Sequence, residues 1–506
     1  MQRVREASLE GPGVRRYRPL LAVLACLAVG GCLAGPNFKL PAAPEASGYS
    51  AHPLAATVGT SYVAGGQAQR FVSGADIPGD WWTLFHSQPL DALIDEALAH
   101  NHDLKAAKAA LLVAREGVLA QRGAYFPTVT AGFAATEQKQ SAVLAPTLNS
   151  NELEYSLFTP QVSVSYVPDV FGLNRRTVES AQAQADADRY QVIATDLTLT
   201  TNIANAYIQA ASLDAQVDAT RQVVAIEAKL VNALQYQVAK GYAGGLDLAA
   251  QQTQLAQAEA TLPPLLKQAQ QQRDLIAALT GRYPDRAPQE SFDLARLTLP
   301  EDLPVSLPST LVAQRPDVLQ AEANQRAASA QIGIAAANRL PNVELTANVG
   351  STAATLGEVF GSGAGFWGLG ATLTQPLLDG GTLMHRERAA KAAYVQASEQ
   401  YRSTVLTAFQ NVADTLAALD QDARTLKANV AAADAAKVTL DLSQRQWKAG
   451  YASYLSLLNA EQAYQQTRIA LVQSQASRYA DTVALFQALG GGWWRRSDLT
   501  KTADAH

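Results

Sequence analysis

Two uninterrupted runs without glycine or proline constrain this 506-residue chain more than any other feature. Residues 173–240 form one and residues 382–449 the other, each 68 residues long. Glycine and proline are the residues that break helices, and both runs are filled with Ala, Gln, Leu, Arg, Lys and Asp, so both predict helix. At 1.5 Å per residue each helix would reach about 100 Å, a length rare in globular domains. Two runs of equal length, offset by 382 − 173 = 209 positions, predict an internal duplication.

The flanks repeat as well. Asp103-Leu104 opens a helical pattern ending at Phe126-Pro127, and Asp317-Val318 opens another ending at Leu340-Pro341. Pro168 to Gly172 lies in register with Pro376 to Gly380, and Gly241-Tyr242-Ala243 with Gly450-Tyr451-Ala452. Each half therefore reads as helix, strand, loop, strand, very long helix, turn and returning helix. The first returning helix, Leu246 to Leu279, is expected to be interrupted at Pro263-Pro264, and the second runs from Leu455 to Leu489. The long helices carry a narrow apolar stripe, as in Leu197, Ala204, Ile208, Ala211 and Ala215. A narrow stripe is a coiled-coil seam, which predicts close packing against the returning helices and neighbouring chains around a hollow tube. A filled coiled-coil rod without a lumen is the alternative.

Short strands are expected between the helices. Val343, Leu345, Ala347 and Val349 alternate with polar residues, and Trp367, Leu369, Ala371 and Leu373 alternate with Gly and Thr. Val162, Val164 and Tyr166 alternate with Ser163 and Ser165, and Thr128 to Ala135 is a weaker match. Segments of about ten residues suit a tilted crossing of an outer membrane; four strands of a soluble sheet are the other reading. Strands in lipid must close into a barrel, because lipid satisfies no open edge. Four strands are too few for closure, so two, three or more chains would share one barrel. The connecting loops are expected at roughly 139–159 and 353–365.

The N-terminus reads as an address. Arg3, Arg5, Arg15, Arg16 and Arg18 precede an apolar run from Leu20 to Val29. At about 15 Å it spans half a bilayer core, so it suits a signal peptide. It ends in Val29-Gly30-Gly31-Cys32, which resembles the lipobox of bacterial lipoproteins and would make Cys32 the acylated first residue. Leu33, rather than Asp, follows it, which by the same resemblance implies sorting to the outer membrane. Residues rich in Pro, Gly, Ala and Ser follow and read as an extended strap.

Composition removes other classes. The formal charge is −5, from 40 Lys and Arg against 45 Asp and Glu, which argues against nucleic acid as a partner. Two cysteines and six histidines give no disulfide framework or cysteine-rich zinc site. No enzyme constellation is expected: no catalytic residue, metal or cofactor. His100 and His102 alternate and would point apart on a helix. Asp414, Asp420 and Asp422 read as the wet face of the second long helix. Gly361 to Gly365 precedes a strand and lacks the Lys of a phosphate loop. Gly172, Gly380 and Gly381 mark strand-to-helix turns, either as swivels or for packing, and Asp379 is a candidate cap for a helix starting at Thr382. The last residues, from Arg495, read as a disordered tail.

Several motifs then coincide. Gly31-Cys32-Leu33-Ala34-Gly35-Pro36-Asn37-Phe38 and Trp81-Trp82-Thr83-Leu84-Phe85 are two of them. Leu307 to Val318, including Ala313-Gln314-Arg315-Pro316-Asp317, is the most specific. Gln375-Pro376-Leu377-Leu378-Asp379-Gly380-Gly381 and Ala488-Leu489-Gly490-Gly491-Gly492-Trp493 complete the set. Over about 36 to 493 the chain resembles the TolC-like outer-membrane factor family, of the nodulation-protein-T type. The resemblance implies a mixed α and β membrane protein. Long coiled-coil helices would form a periplasmic α-barrel, and four transmembrane strands per chain would complete a twelve-stranded barrel shared by a homotrimer. It implies an outer-membrane exit channel for drugs or other small molecules, working with a periplasmic adaptor and a resistance–nodulation–division pump. A channel for protein secretion, or a non-conducting coiled-coil structural lipoprotein, are the alternatives.

The corresponding domains are a lipoprotein signal peptide at 1–31, the strap at 32–80 and a first repeat at 81–281. A linker in the equatorial region at 282–307, a second repeat at 308–490 and a C-terminal tail at 491–506 follow. The resemblance also places the periplasmic entrance at the turns Gly241–Asp247 and Gly450–Ser456. Members often carry aspartates at the second turn; here Ser456 and Asn459 stand at those positions, Ala250 replaces the later acid of the first turn, and Asp247 remains. A less cation-selective closed pore is therefore expected, measured by single-channel reversal potentials. A strong cation preference that survives Asp247→Ala would refute the reading.

Overall fold

The computed structural model describes residues 33–42, 46, 48–50, 55–60, 62–141, 143 and 153–500. Cys32, the signal segment and residues 501–506 lie outside these. In chain order the elements are β1 (Arg70–Ser73), α1 (Gln88–His100), α2 (His102–Arg122), β2 (Thr128–Lys139), β3 (Glu154–Tyr166), α3 (Leu173–Ala239), α4 (Gly245–Leu279), β4 (Asp302–Val305), α5 (Pro308–Gln314), α6 (Pro316–Ala337), β5 (Asn342–Ser351), β6 (Gly365–Thr374), α7 (Thr382–Lys448), α8 (Tyr454–Ala488) and α9 (Ser497–Thr500). Helices α3 and α7 each have 67 residues, and α4 and α8 each have 35. Among the described residues no helix is long and apolar enough to cross a membrane.

The chain forms two compact units, each drawing on both halves of the sequence. The first comprises residues 1–40, 114–185 and 324–398, and the second residues 41–113, 186–323 and 399–506. In the first unit an antiparallel sheet runs in the order β2-β3-β5-β6. Residue Arg176, 2% exposed, ties the chain after position 32 to the start of α3. Its guanidinium donates to the Ala34 and Gly35 carbonyls, to Asn37 Oδ1 at 2.8 Å and to Glu179 at 2.7 Å. A buried guanidinium is tolerable only with its donors filled in this way.

The second unit holds the main core. Trp81 stacks on Phe486 at 5.4 Å, and Phe85 meets Phe486 edge-on. Tyr207 meets Phe292 edge-on at 5.1 Å. Around this cluster α3 is buried on nearly every side: Ile203, Ala204, Ala206, Tyr207, Ile208, Ala210, Ala211 and Leu213 are all buried. The narrow stripe expected from sequence is therefore too narrow here, because aromatic residues from other elements cover the faces that a two-helix seam would leave wet. The strap is docked on the fold rather than free. Its β1 pairs in parallel with β4 of the linker, Phe71 opposite Leu303.

Other expectations change for identifiable reasons. Helix α4 runs through Pro263 and Pro264 without interruption. The carbonyls of Glu259 and Ala260 lose their helical donors there, but both residues are exposed, where solvent can bond such groups at little cost. Asp420 is not on a wet face: it is 5% exposed and accepts from Arg424 at 3.0 Å. Residues 495–500 are fastened rather than free. Arg496 donates to buried Asp196 at 2.6 Å and to Asp498 at 2.7 Å, and Arg495 donates to Asp76. Between His100 and His102, Asn101 caps α2 by accepting from Leu104 N–H, and it donates to the Leu279 carbonyl. Strand β3 starts at Glu154, inside the segment expected to be loop.

Arg478 on α8 is 1% exposed and serves the strap. It donates to the Gln67 carbonyl at 3.1 Å, to Thr57 Oγ1 at 3.4 Å and to the Leu419 carbonyl at 2.9 Å. Arg478→Ala would leave those acceptors buried and unpaired, and should cost about 3 kcal/mol. Thermal unfolding of the purified protein checks this; an unchanged midpoint would contradict the role assigned to Arg478.

Candidate functional site: a two-faced sheet and paired helix turns

The pairing register sorts the sheet into two chemical faces. Ala131 lies opposite Val162, Val162 opposite Val349, and Val349 opposite Trp367. The next row on that face is Val129, Val164, Ala347 and Leu369. The intervening rows are Thr130, Ser163, Asn348 and Gly368, then Thr128, Ser165, Thr346 and Gly370. Successive side chains of a strand point to opposite faces, so over these rows one face is apolar and the other is hydroxyl, amide and glycine.

The apolar face is not covered within the chain. Val129 is 65% exposed, Trp367 75%, Leu369 78% and Leu373 69%. A soluble sheet would bury this face against a second layer. On the polar face, Ser165 Oγ donates to Glu344 at 2.8 Å, and Gly368 and Gly370 leave room for the Asn348 and Thr346 side chains. Both edges, β2 with 12 residues and β6 with 10, have a single partner each among the described residues. Long exposed edges are templates for pairing with another chain.

The strand-to-helix turns named from sequence lie where the chain leaves the strands. Gly172 has φ 80°, Gly380 φ 65° and Gly381 φ 85°, values that favour glycine. A side chain on Gly172 would also strike Leu33, whereas nothing packs against Gly380. The first turn thus needs glycine for conformation and packing, and the second for conformation alone. Asp379 caps α7 by accepting from Gly381 N–H at 2.9 Å and Leu383 N–H at 2.8 Å. The Leu383 bond, with the Gly381 bond after it, holds the Asp379 carboxyl below the usual carboxylate range. Asp169 caps α3 in the same manner, through Asn174 N–H and Arg175 N–H, both at 2.9 Å. Asp169 and Arg176 were not singled out from sequence; an aspartate a few residues before each long run is the signal for the caps.

The turns at the other ends of the long helices also match. Gly241 at φ 78° and Gly450 at φ 79° end α3 and α7. Tyr242 N–H reaches the Gln237 carbonyl and Tyr451 N–H the Gln446 carbonyl, each at 2.8 Å, the helix-closing motif that glycine permits. Tyr242, Leu246, Tyr451 and Leu455 are strongly exposed on these turns. Asp247 lies in the first turn of α4. Ser456 lies in the first turn of α8, where it bonds Ser453, and Asn459 follows on the same helix. The two turns neighbour one another: after burial and the charges of Glu227 and Glu461, Asp247 further raises the Tyr454 phenol above its ordinary value.

An apolar belt backed by a polar face, with unpaired edges, defines a membrane β-channel subunit. The sequence profile of the outer membrane efflux protein family matches residues 93–282 and 307–491; the chain belongs to that family. It is 29% identical to outer membrane protein OprJ of Pseudomonas aeruginosa over 93% of this chain and 95% of that protein. It is 30% identical to the pyoverdine export outer membrane protein OpmQ of the same organism, over 94% and 97%. Its fold superposes on the outer membrane protein VceC of Vibrio cholerae with a TM-score of 0.76 at 28% identity, covering 83% of this chain and all of VceC. The protein is an outer-membrane efflux channel component.

A charge on the two faces should have unequal effects. Leu369→Arg places a cation on the apolar belt and should cost about 2–4 kcal/mol of membrane-inserted stability. Thr130→Lys places one on the polar face and should be tolerated. The amount of protein in the outer-membrane fraction reports both; equal losses would contradict the assignment of faces.

Proposed function

We propose that the chain is the exit duct of a tripartite efflux system. Three copies place β6 of one beside β2 of the next and close a twelve-stranded barrel, apolar face to lipid and polar face to water. The observation that carries this reading is the sheet itself: a continuous uncovered apolar face, a hydrogen-bonding opposite face and two free edges. In lipid those edges have no water to bond, so only closure satisfies their backbone groups.

The equal lengths of α3 and α7, and of α4 and α8, support an internal duplication in which both halves line one helical tunnel. Acylation of Cys32 anchors the chain to the outer membrane, and Arg176 holds the segment that follows it. The exposed Tyr242, Leu246, Tyr451 and Leu455 suit docking of a periplasmic adaptor, which would splay the turns carrying Asp247, Ser456 and Asn459. A resistance–nodulation–division pump supplies the energy, and this chain supplies a shaped path. Drugs or other small molecules would pass without chemical change.

The purified protein in a planar bilayer should give stepwise conductance. A deletion strain should become at least about fourfold more susceptible to several unrelated drugs and recover when the gene is restored. Absence of conductance from well-folded protein, with unchanged susceptibility in a strain lacking parallel pumps, would overturn the proposal.

A further inference from the structure

A cavity of about 350 Å³ lies where the strap, the linker and helix α7 meet. Tyr49 and Phe71 of the strap, Leu307 of the linker and Leu416 of α7 form its apolar walls, and Ser306 and Asp420 add polar ones. Both polar residues are deeply buried: Ser306 is 7% exposed and Asp420 5%. Buried polar groups ordinarily have partners, yet Ser306 Oγ has none among the described residues. Asp420 accepts from Arg424 at 3.0 Å and from Gln421 at 3.2 Å, but both bonds fall on Oδ2. Its Oδ1 receives no donor among the described residues.

The lining does not supply the missing hydrogen. The Tyr49 hydroxyl donates to the Ser306 carbonyl at 2.8 Å. Burial pushes that phenol up to about 12, so its one hydrogen is present and already spent. The Tyr49 ring lies 5.6 Å from Phe409, which fixes that wall. Arg424 stands beside Asp420 and offsets its charge, so the site holds no net charge for a cation to balance. What it lacks is a hydrogen for Asp420 Oδ1 and an oxygen for the Ser306 O–H. A hydroxyl group provides both.

We infer that this cavity binds a small, neutral aromatic compound bearing a hydroxyl group. Its ring packs against Tyr49, Phe71, Leu307 and Leu416, and its hydroxyl donates to Asp420 Oδ1 and accepts from Ser306 Oγ. Ligand sites combine a volume of this order and apolar walls with a few polar groups. Two aromatic walls favour an aromatic body over an aliphatic one, through offset or edge-on contact. The walls come from the strap, the linker and α7, so the bound compound ties together three parts of the chain that are distant in sequence. Because only the folded chain brings them together, binding raises the unfolding temperature.

The test uses the full purified protein in detergent, with 2-naphthol as probe and 2-methoxynaphthalene, which cannot donate, as its analogue. Calorimetry against a detergent-only titration reads binding, and thermal unfolding reads stability. The expected result is saturable binding of 2-naphthol with a raised unfolding midpoint. The methyl ether should bind about tenfold more weakly, the weight of one hydrogen bond to a charged group. The cation 1-naphthylmethylammonium should bind no tighter than 2-naphthol. Ser306→Ala should weaken 2-naphthol about threefold without lowering the protein's own midpoint, because the lost hydroxyl has no partner among the described residues. Asp420→Asn should weaken it about tenfold. Ala417→Trp, at an exposed position of the same lining, fills the cavity and should abolish binding, which keeps the inference testable should Asp420→Asn fold poorly. Equal affinity for 2-naphthol and its methyl ether, tighter binding of the ammonium, wild-type affinity in folded Ala417→Trp, or no saturable binding would overturn the inference.

Discussion

The unmatched backbone hydrogen bonds at the two edges of the sheet govern the rest of this structure. Strands β2 and β6 each turn one row of N–H and C=O groups away from the sheet, on either side of a face that carries exposed Trp367, Leu369 and Val129. In water such edges would be an aggregation hazard, and in lipid they would be prohibitive. A second copy of the same edge pair removes the problem only if the number of copies closes the ring. On the function proposed above, oligomerisation would be a condition of membrane residence. The polar face follows from the same register, because a period of two that puts aliphatic side chains on one face puts Thr, Ser, Asn and Gly on the other; in the proposed barrel the second would line the lumen.

The helices meet a related constraint by a different route. A helix of 67 residues cannot bury itself, and α3 is covered at Tyr207 by Phe292 from a distant part of the sequence. Where the chain would otherwise stray, buried or half-buried arginines fasten it: Arg176 to residues 34–37, Arg478 to residues 57 and 67, and half-buried Arg496 to Asp196. Each has its donors spent on carbonyls, carboxylates, an amide oxygen or a hydroxyl. The N-terminal strap and the C-terminal segment are thereby part of the fold, though their composition reads as linker.

The parts legible in the sequence are those controlled by local backbone physics. The long helices start or end within two residues of the glycines at 172, 241, 381 and 450, because positive φ stops a helix wherever the rest of the protein lies. The alternation in β5 and β6 showed its two faces for the same reason: it is a property of consecutive residues. Long-range burial was not legible. The Asp420–Arg424 pair is a local i,i+4 contact, but the burial of Asp420 depends on distant residues such as Tyr49, Phe71 and Leu307 that line the same cleft. The double proline at 263–264 misled because the cost of two missing donors depends on whether water reaches Glu259 and Ala260.

The central claim is that copies of this chain share one closed sheet. Imaging of the purified particle in detergent, at a resolution that separates strands, tests it most directly. The account predicts threefold symmetry, with β6 of each copy hydrogen-bonded to β2 of its neighbour in a single ring of twelve strands. A folded particle of one copy, or an assembly in which β2 and β6 remain unpaired, would contradict it.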